Sequence, residues 1–352
     1  MSLRDLLIAR IAATGPISLA DYMAECLLHP EHGYYTTRMP FGAKGDFITA
    51  PEVSQMFGEL LGLCLAQSWQ DQGAPARFTL ADLGPGRGTL MADMLRATRR
   101  VPGFHAAAEI VLIEASDKLA EQQRELLSEY PVRYLRDVAA LPDQALFVTA
   151  NEFFDALPIR QFTRDVTHWR ETQVGLKDGA LTFGQGPALP QPALEQRFAH
   201  TAPGEVVEIA AAAGPILHEL GSRIAAHGGA GLIIDYGDWQ SRGDTFQALR
   251  GHAPTDPLAD PGHADLTAHV DFEALAEAAP CQYTRLTPQG VFLERLGLTQ
   301  RAQKLAAQLS GDALTAHIAA HRRLTHPAEM GNLFKVMGLF AIGSGPPPGL
   351  DV

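Results

Sequence analysis

The segment Leu80-Ala81-Asp82-Leu83-Gly84-Pro85-Gly86-Arg87-Gly88-Thr89-Leu90 holds the residue types of a loop that approaches a nucleotide. Glycines between an apolar run and a helical run let the backbone touch a ligand and turn tightly without a Cβ clash. A pyrophosphate-binding turn spaces them G-x-G-x-x-G, so that helix amides face the anion. Here Gly84, Gly86 and Gly88 follow G-x-G-x-G, and an acid, Asp82, precedes the first of them. A carboxylate at that place repels a pyrophosphate and favours a ligand carrying an ammonium group. S-adenosylmethionine is such a ligand. The next apolar run ends at Glu114, suited to accept from both hydroxyls of a ribose, and the third ends near Asp137, suited to the adenine amino group. Three acids at successive strand ends define a nucleoside site more narrowly than the glycines alone. The plainer alternative makes the glycines a turn and the acids solvated helix starts.

A fourth apolar run leads into Asn151-Glu152-Phe153-Phe154-Asp155-Ala156-Leu157-Pro158. In an open sheet this end lies beside the reactive part of a bound nucleoside. Asn151 can orient a nucleophilic nitrogen, Glu152 and Asp155 can hold a cationic acceptor, and Phe153 and Phe154 can exclude water. The alternative makes the two rings core residues and Asp155 a helix cap. Gly45 to Gln55 reads as a lid with Glu52 and Gln55 directed into the site, although a capped helix start also accounts for Thr49 and Glu52. Asp235-Tyr236-Gly237 and Asp265 to Phe272 supply further walls, with His269 more in keeping with a structural role. The 13 histidines show no H-E-x-x-H or related spacing, so no metal site is expected.

The elements that must position these residues follow from the pattern. Phe78–Asp82, Ile110–Glu114, Val132–Leu135, Ala145–Ala150 and Gly231–Asp235 read as buried strands, with helices over Leu90–Arg100, Lys118–Ser128 and Ile216–Ile224 between them. This alternation predicts an open α/β sheet of parallel strands with helices on both faces. Before it, residues 1–76 read as helices and loops. Ser18 caps one helix that ends at His29-Pro30, Pro40–Phe47 is turn-rich, and Pro51-Glu52 opens another helix that runs through Leu65. Residues 77–342 form the sheet domain, interrupted near 160–205 by a hairpin and loop and near 238–270 by a turn-rich insertion. Asp271 caps a helix, Phe334–Phe340 closes the sheet, and 343–352 is expected to be a flexible tail.

The 352 residues carry 28 basic and 40 acidic side chains, a net charge of −12. A hydrophobic content of 46% with 19% charged residues is globular and excludes wholesale disorder. The acidity disfavours nucleic acid and suits a cationic partner such as a basic peptide segment. Cys26, Cys64 and Cys281 form no CxxC pair and read as reduced thiols of a cytoplasmic type of compartment. No apolar run has the roughly 20 residues of a membrane span. The first residues form an amphipathic pattern, Leu3, Leu6, Leu7 and Ile11 broken by Arg4, Asp5 and Arg10, unlike a signal peptide.

The strings DLGPGRGTLM, ANEFFDALPIRQF, GDFITAPEVSQMFGE, IDYG, DLTAHVDF and MGNLFKVM together resemble the MidA-like family of class I S-adenosylmethionine-dependent methyltransferases, from about Gly33 to Met337. The resemblance implies a Rossmann-like methyltransferase sheet with a helical N-terminal region and inserted segments. It places Gly84, Gly86 and Gly88 along the methionine part of the cofactor with Asp82 nearby, Glu114 on the ribose and Asp137 on the adenine. The family's mitochondrial members are assembly factors of respiratory complex I that methylate an arginine of one of its subunits. The implied activity is therefore protein-arginine N-methylation, with a NADH dehydrogenase subunit as one acceptor. Glu152 is the first candidate to hold the guanidinium, followed by Glu52 and Asp155, with Asn151 beside them. A cofactor-binding assembly protein without essential catalysis and, less in keeping with the glycine spacing, a nicotinamide-dependent oxidoreductase are the competing readings.

Overall fold

The computed structural model describes residues 1–37 and 48–352. The turn-rich passage at Pro40–Phe47 and the first residues of the expected lid lie outside them. Six strands carry the main sheet: β1 (Phe78–Leu83), β2 (Ala108–Ile113), β3 (Val132–Leu135), β4 (Ala145–Asn151), β5 (Gly229–Asp238) and β6 (Phe334–Phe340). Their spatial order is β6-β5-β4-β1-β2-β3, with the short strand Gln282–Tyr283 outside β6. The chain steps outward from β1 to β2 and β3, then returns to lay β4 on the other side of β1. The order reverses there, and the carboxyl ends of β1 and β4 flank the crevice where an open α/β sheet binds its ligand.

Among the six strands the neighbouring pairs are parallel except one. β6 runs antiparallel to β5, with Ile233 opposite Met337. The five strands expected to be parallel are so, and the closing strand, for which no direction was foreseen, is the antiparallel one. After the C-terminal helices the chain re-enters at Phe334, opposite Tyr236 near the carboxyl end of β5, so the crossover that a parallel strand needs is absent. Side chains alternate between two apolar layers, as a period of two requires. Phe78, Leu80, Leu112, Phe147 and Leu232 join one, and Ala81, Leu83, Val111, Val148 and Ile233 the other.

Helices cover both faces. The first layer is closed by α3 (Gln55–Asp71) and α4 (Thr89–Thr98), and the second by α6 (Ala213–His227) and α7 (Phe272–Ala278). Helix α5 (Asp117–Leu126) joins β2 to β3. The helix expected from Pro51 is broken in two. Ala50–Val53 forms a single turn, Ser54 is extended, and its hydroxyl accepts from the Met56 amide at 3.2 Å to start α3.

The N-terminal helices α1 (Leu3–Thr14) and α2 (Leu19–Leu28) pack with the inserted segments. Leu7, Tyr22 and Met23 share a core with Val174, Ala248 and Leu266. The first insertion is a five-stranded antiparallel sheet in which Arg160–Arg164, Trp169–Lys177, Ala180–Gln185 and Val206–Ile209 are joined by Ile17–Ser18. The second, expected only as turns, contains Gln247–Arg250 paired with Asp265–Thr267.

Two expectations need correction. Helices over Gln289–Arg295, Leu298–Ala306 and Gly311–Thr325 precede β6, where no element was foreseen. The segment 343–352 is not a free tail: Leu350 is 5% exposed within the first core layer, and the Asp351 carboxylate accepts from Arg295 at 2.7 Å.

Candidate active site

A cleft of about 1090 Å³ opens at the carboxyl edge of the sheet. Its walls include all ten expected site residues except Gly88: Asp82, Gly84, Gly86, Glu114 and Asp137 on one side, and Asn151, Glu152, Asp155 and Glu52 on the other. Gln55, expected to face the cleft, starts α3 as an exposed residue and is not among the lining.

Asp82 is 1% exposed at the end of β1. Its Oδ1 accepts from the Thr149 hydroxyl at 2.7 Å, while Oδ2 is buried without a partner. Burial, with a smaller contribution from Glu114, pushes its pKa up to about 7. A buried carboxylate oxygen with no donor is costly, and a cationic ligand group would relieve that cost. Gly84 follows at φ +59°, and a Cβ built there would lie 2.9 Å from the Phe153 ring. Only glycine lets the chain turn there with Phe153 so close.

Glu114 begins the loop after β2. Its Oε1 accepts from the Ser116 amide at 2.7 Å and its Oε2 from Gln123 Nε2 at 3.0 Å, and burial raises its pKa. A carboxylate has about four lone-pair sites, so two remain for a vicinal diol. Asp137 is exposed and caps the short helix Val138–Ala140 by accepting from the Ala139 amide at 2.9 Å.

Across the cleft, Glu152 adopts φ +53°, a left-handed conformation that non-glycine residues seldom take. Its amide donates to the Ile234 carbonyl at 2.9 Å, and its Oε1 accepts from the Ala50 amide at 3.1 Å and from Asn151 Nδ2 at 3.0 Å. Burial, then the charge of Asp155, pushes the Glu152 carboxyl up to about 8. Asp155 is 6% exposed, has one oxygen without a partner, and is also raised by burial. Backbone strain at Glu152 beside a buried, unpartnered oxygen of Asp155 is a hallmark of a site shaped for binding rather than for stability.

The turn that presents Glu152 and Asp155 is held by a residue foreseen only as a wall. Asp235, fully buried on β5, accepts from the amides of Phe153, Phe154 and Asp155 at 3.0–3.3 Å through Oδ2 and from Tyr236 at 3.0 Å through Oδ1. Tyr236, Asp265 and His269 line the cleft as expected, and Tyr35 joins them, its hydroxyl donating to Asp265 at 2.7 Å. Phe154 is core, as its alternative reading had it, whereas Phe153 lines the cleft. Glu52 sits at the wall with both oxygens engaged: Thr89 Oγ1 donates to one at 2.7 Å and Arg87 lies 3.4 Å from the other. It therefore braces the glycine loop more directly than it faces an acceptor.

Among the described residues, eight carboxylates line the cleft against two guanidiniums, those of Arg87 and Arg136. Such a lining selects cations. Among the described residues, no group of three ligating side chains can hold a metal ion.

The comparisons with known proteins agree with this geometry. Residues 60–290 match a family of S-adenosyl-L-methionine-dependent methyltransferases. The chain is 38% identical to a zebrafish (Danio rerio) protein named "Protein arginine methyltransferase NDUFAF7, mitochondrial" over 94% of its own length and 84% of that protein's. Its human (Homo sapiens) counterpart is 36% identical, over 95% and 82%. The chain belongs to this methyltransferase family. A solved COG1565 superfamily member from Burkholderia thailandensis, bound to S-adenosyl-homocysteine, superposes with a TM-score of 0.82 at 30% identity, covering 99% of this chain and 92% of that one. The sheet is thus a class I methyltransferase fold, and S-adenosylmethionine is the methyltransferase's cofactor. The nicotinamide reading falls with that assignment.

The cleft fits the cofactor on its own terms. The unpartnered Asp82 Oδ2 suits an ammonium, the close turn at Gly84 leaves room beside the backbone, and Glu114 is held rigidly at the next strand end. No helix among the described residues is long and apolar enough to cross a membrane.

Proposed function

We propose that this methyltransferase acts on the guanidinium of an arginine in a protein partner. The observation that carries the proposal is the pair Glu152, half-buried, and Asp155, buried, at the strand end opposite the glycine loop, in a cleft whose charged lining is predominantly acidic. The names of the relatives, protein arginine methyltransferases, point the same way. The resemblance to assembly factors makes a subunit of a respiratory NADH dehydrogenase the first acceptor to examine. Three buried free cysteines suit a reducing compartment such as a cytoplasm, although the named relatives are mitochondrial.

When bound, S-adenosylmethionine supplies a methyl group on a sulfonium, already activated for in-line displacement. This chain has to bind, align and desolvate. Asp82 takes the ammonium end, Gly84, Gly86 and Gly88 keep the loop close to the methionine part, Glu114 takes the ribose and Asp137 the adenine amino group. Glu152 and Asp155 hold the planar guanidinium, and Asn151 fixes the Glu152 carboxylate through its 3.0 Å hydrogen bond. Two carboxylates draw the positive charge toward the far nitrogens and leave the attacking nitrogen richer in electrons. Glu152, with its raised pKa, is suited to take the proton that the methylated nitrogen sheds. Glu52 keeps the glycine loop in place through Thr89 and Arg87.

Glu152→Gln is expected to lower methyl transfer by at least about 100-fold while changing the calorimetric affinity for S-adenosylhomocysteine by less than about threefold. Transfer at the wild-type rate would overturn the role given to Glu152.

A further inference from the structure

Gln123 lies on α5, fully buried and outside the cleft lining, with no sequence signal to mark it. Its side-chain nitrogen donates to the Gly86 carbonyl at 2.7 Å and to Glu114 Oε2 at 3.0 Å. Both N–H groups are thereby spent on the two segments assigned to the cofactor. Its Oε1 is buried with no partner. The orientation of this amide is nevertheless fixed: turned over, it would set an acceptor oxygen against a carbonyl and a carboxylate. The chain tolerates an unsatisfied acceptor in order to keep both donors in place. The stem of the side chain completes the fit, since a Cβ on Gly88 would lie 3.3 Å from Gln123 Cγ.

We propose that Gln123 is a positioning residue for the cofactor's ribose, clamping the Glu114 carboxylate to the glycine loop so that the remaining lone pairs of Glu114 meet both ribose hydroxyls. Without that clamp, Glu114 Oε2 loses its Gln123 donor and the carboxylate is held only from its own loop, chiefly by the Ser116 amide, about which it can rotate. The Gly86 carbonyl also loses its partner, but that loss weakens every cofactor analogue alike. The loss at Glu114 weakens a ligand with both ribose hydroxyls more than one that lacks the 2′-hydroxyl. The inference rests on the assignment of Glu114 to the ribose.

Calorimetry with S-adenosylhomocysteine and its 2′-deoxyribose analogue separates the two effects, because the ratio of two affinities on one preparation cancels any loss of folded protein. The wild-type chain is expected to prefer the complete ribose by about tenfold or more. Gln123→Met, which keeps the length and removes both donors, is expected to cut that preference at least fivefold. Gln123→Asn, one methylene too short to reach, is expected to do the same and serves if the methionine variant does not fold. A wild-type preference that survives in the variants overturns the role of Gln123 alone. A wild type with no preference overturns the ribose assignment of Glu114 itself.

Discussion

Glu152 is withdrawn from solvent and set beside Asp155, both of which oppose folding with its charge intact, and its left-handed backbone adds strain of its own. Its pKa rises from 4.5 to about 8 through burial and that neighbour. A raised folded pKa means that the protonated carboxyl adds stability at low pH, and that this contribution is lost as pH climbs from the unfolded value through about 8. Glu152→Gln is therefore expected to stabilise the protein at pH about 9, by on the order of 1–2 kcal/mol, and to change stability little at pH about 5. Thermal unfolding at the two pH values checks this, and equal destabilisation at both would contradict it. Catalysis should move the other way. The anion holds the guanidinium, so kcat/KM for the acceptor is expected to rise with pH to an apparent pKa near 8 that belongs to the Glu152–Asp155 pair. A profile that is flat between about pH 6.5 and 9 would count against both residues. The glycines and the strand-end acids were legible in the sequence because close backbone approach and cation binding each demand particular residue types. Gln123 was not, because its partners, Gly86 and Glu114, come from two other loops. Glu52 was legible as a wall residue, whereas its partners Thr89 and Arg87 were not, for the same reason.

At the scale of the elements, Asp235 joins β5 to the turn after β4 through three backbone amides, those of Phe153, Phe154 and Asp155. An asparagine offers one acceptor oxygen and turns its NH₂ toward donors. Asp235→Asn is expected to cost about 2–4 kcal/mol in denaturant unfolding and to disable transfer by releasing Glu152 and Asp155 from their turn. A fully stable, active variant would show that the turn holds without it. The parallel strands were legible because strands covered on both faces read as continuous apolar runs, as in Leu232-Ile233-Ile234. The antiparallel direction of β6 was not, since direction depends on the length and path of the connection and leaves no trace in the strand's own residues. The helix break at Ser54 also escaped: a serine that caps α3 looks the same as one within a longer helix. The helix Gly311–Thr325 buries little besides Leu324, so it shows no apolar stripe to announce it.

The whole molecule is arranged so that apolar layers end at an acidic crevice. The two sides of the sheet bury their side chains independently, and the reversal of strand order opens the cleft between β1 and β4. The chain's net charge of −12 and the eight carboxylates in the cleft lining then favour cationic ligands at both ends of the site. The C-terminal segment seals the first layer through Leu350, a packing role that its Gly/Pro-rich composition concealed.

The most direct test of this account is the chemical position of the transferred methyl group. Purified protein is incubated with tritium-methyl S-adenosylmethionine and an extract of cells lacking this chain, and the protein fraction is acid-hydrolysed for amino-acid analysis. The account predicts label in methylated arginine with the wild-type chain and none with Glu152→Gln. Label released as a base-labile ester, label in methyl-lysine, or methylated arginine formed equally well by the variant would contradict it.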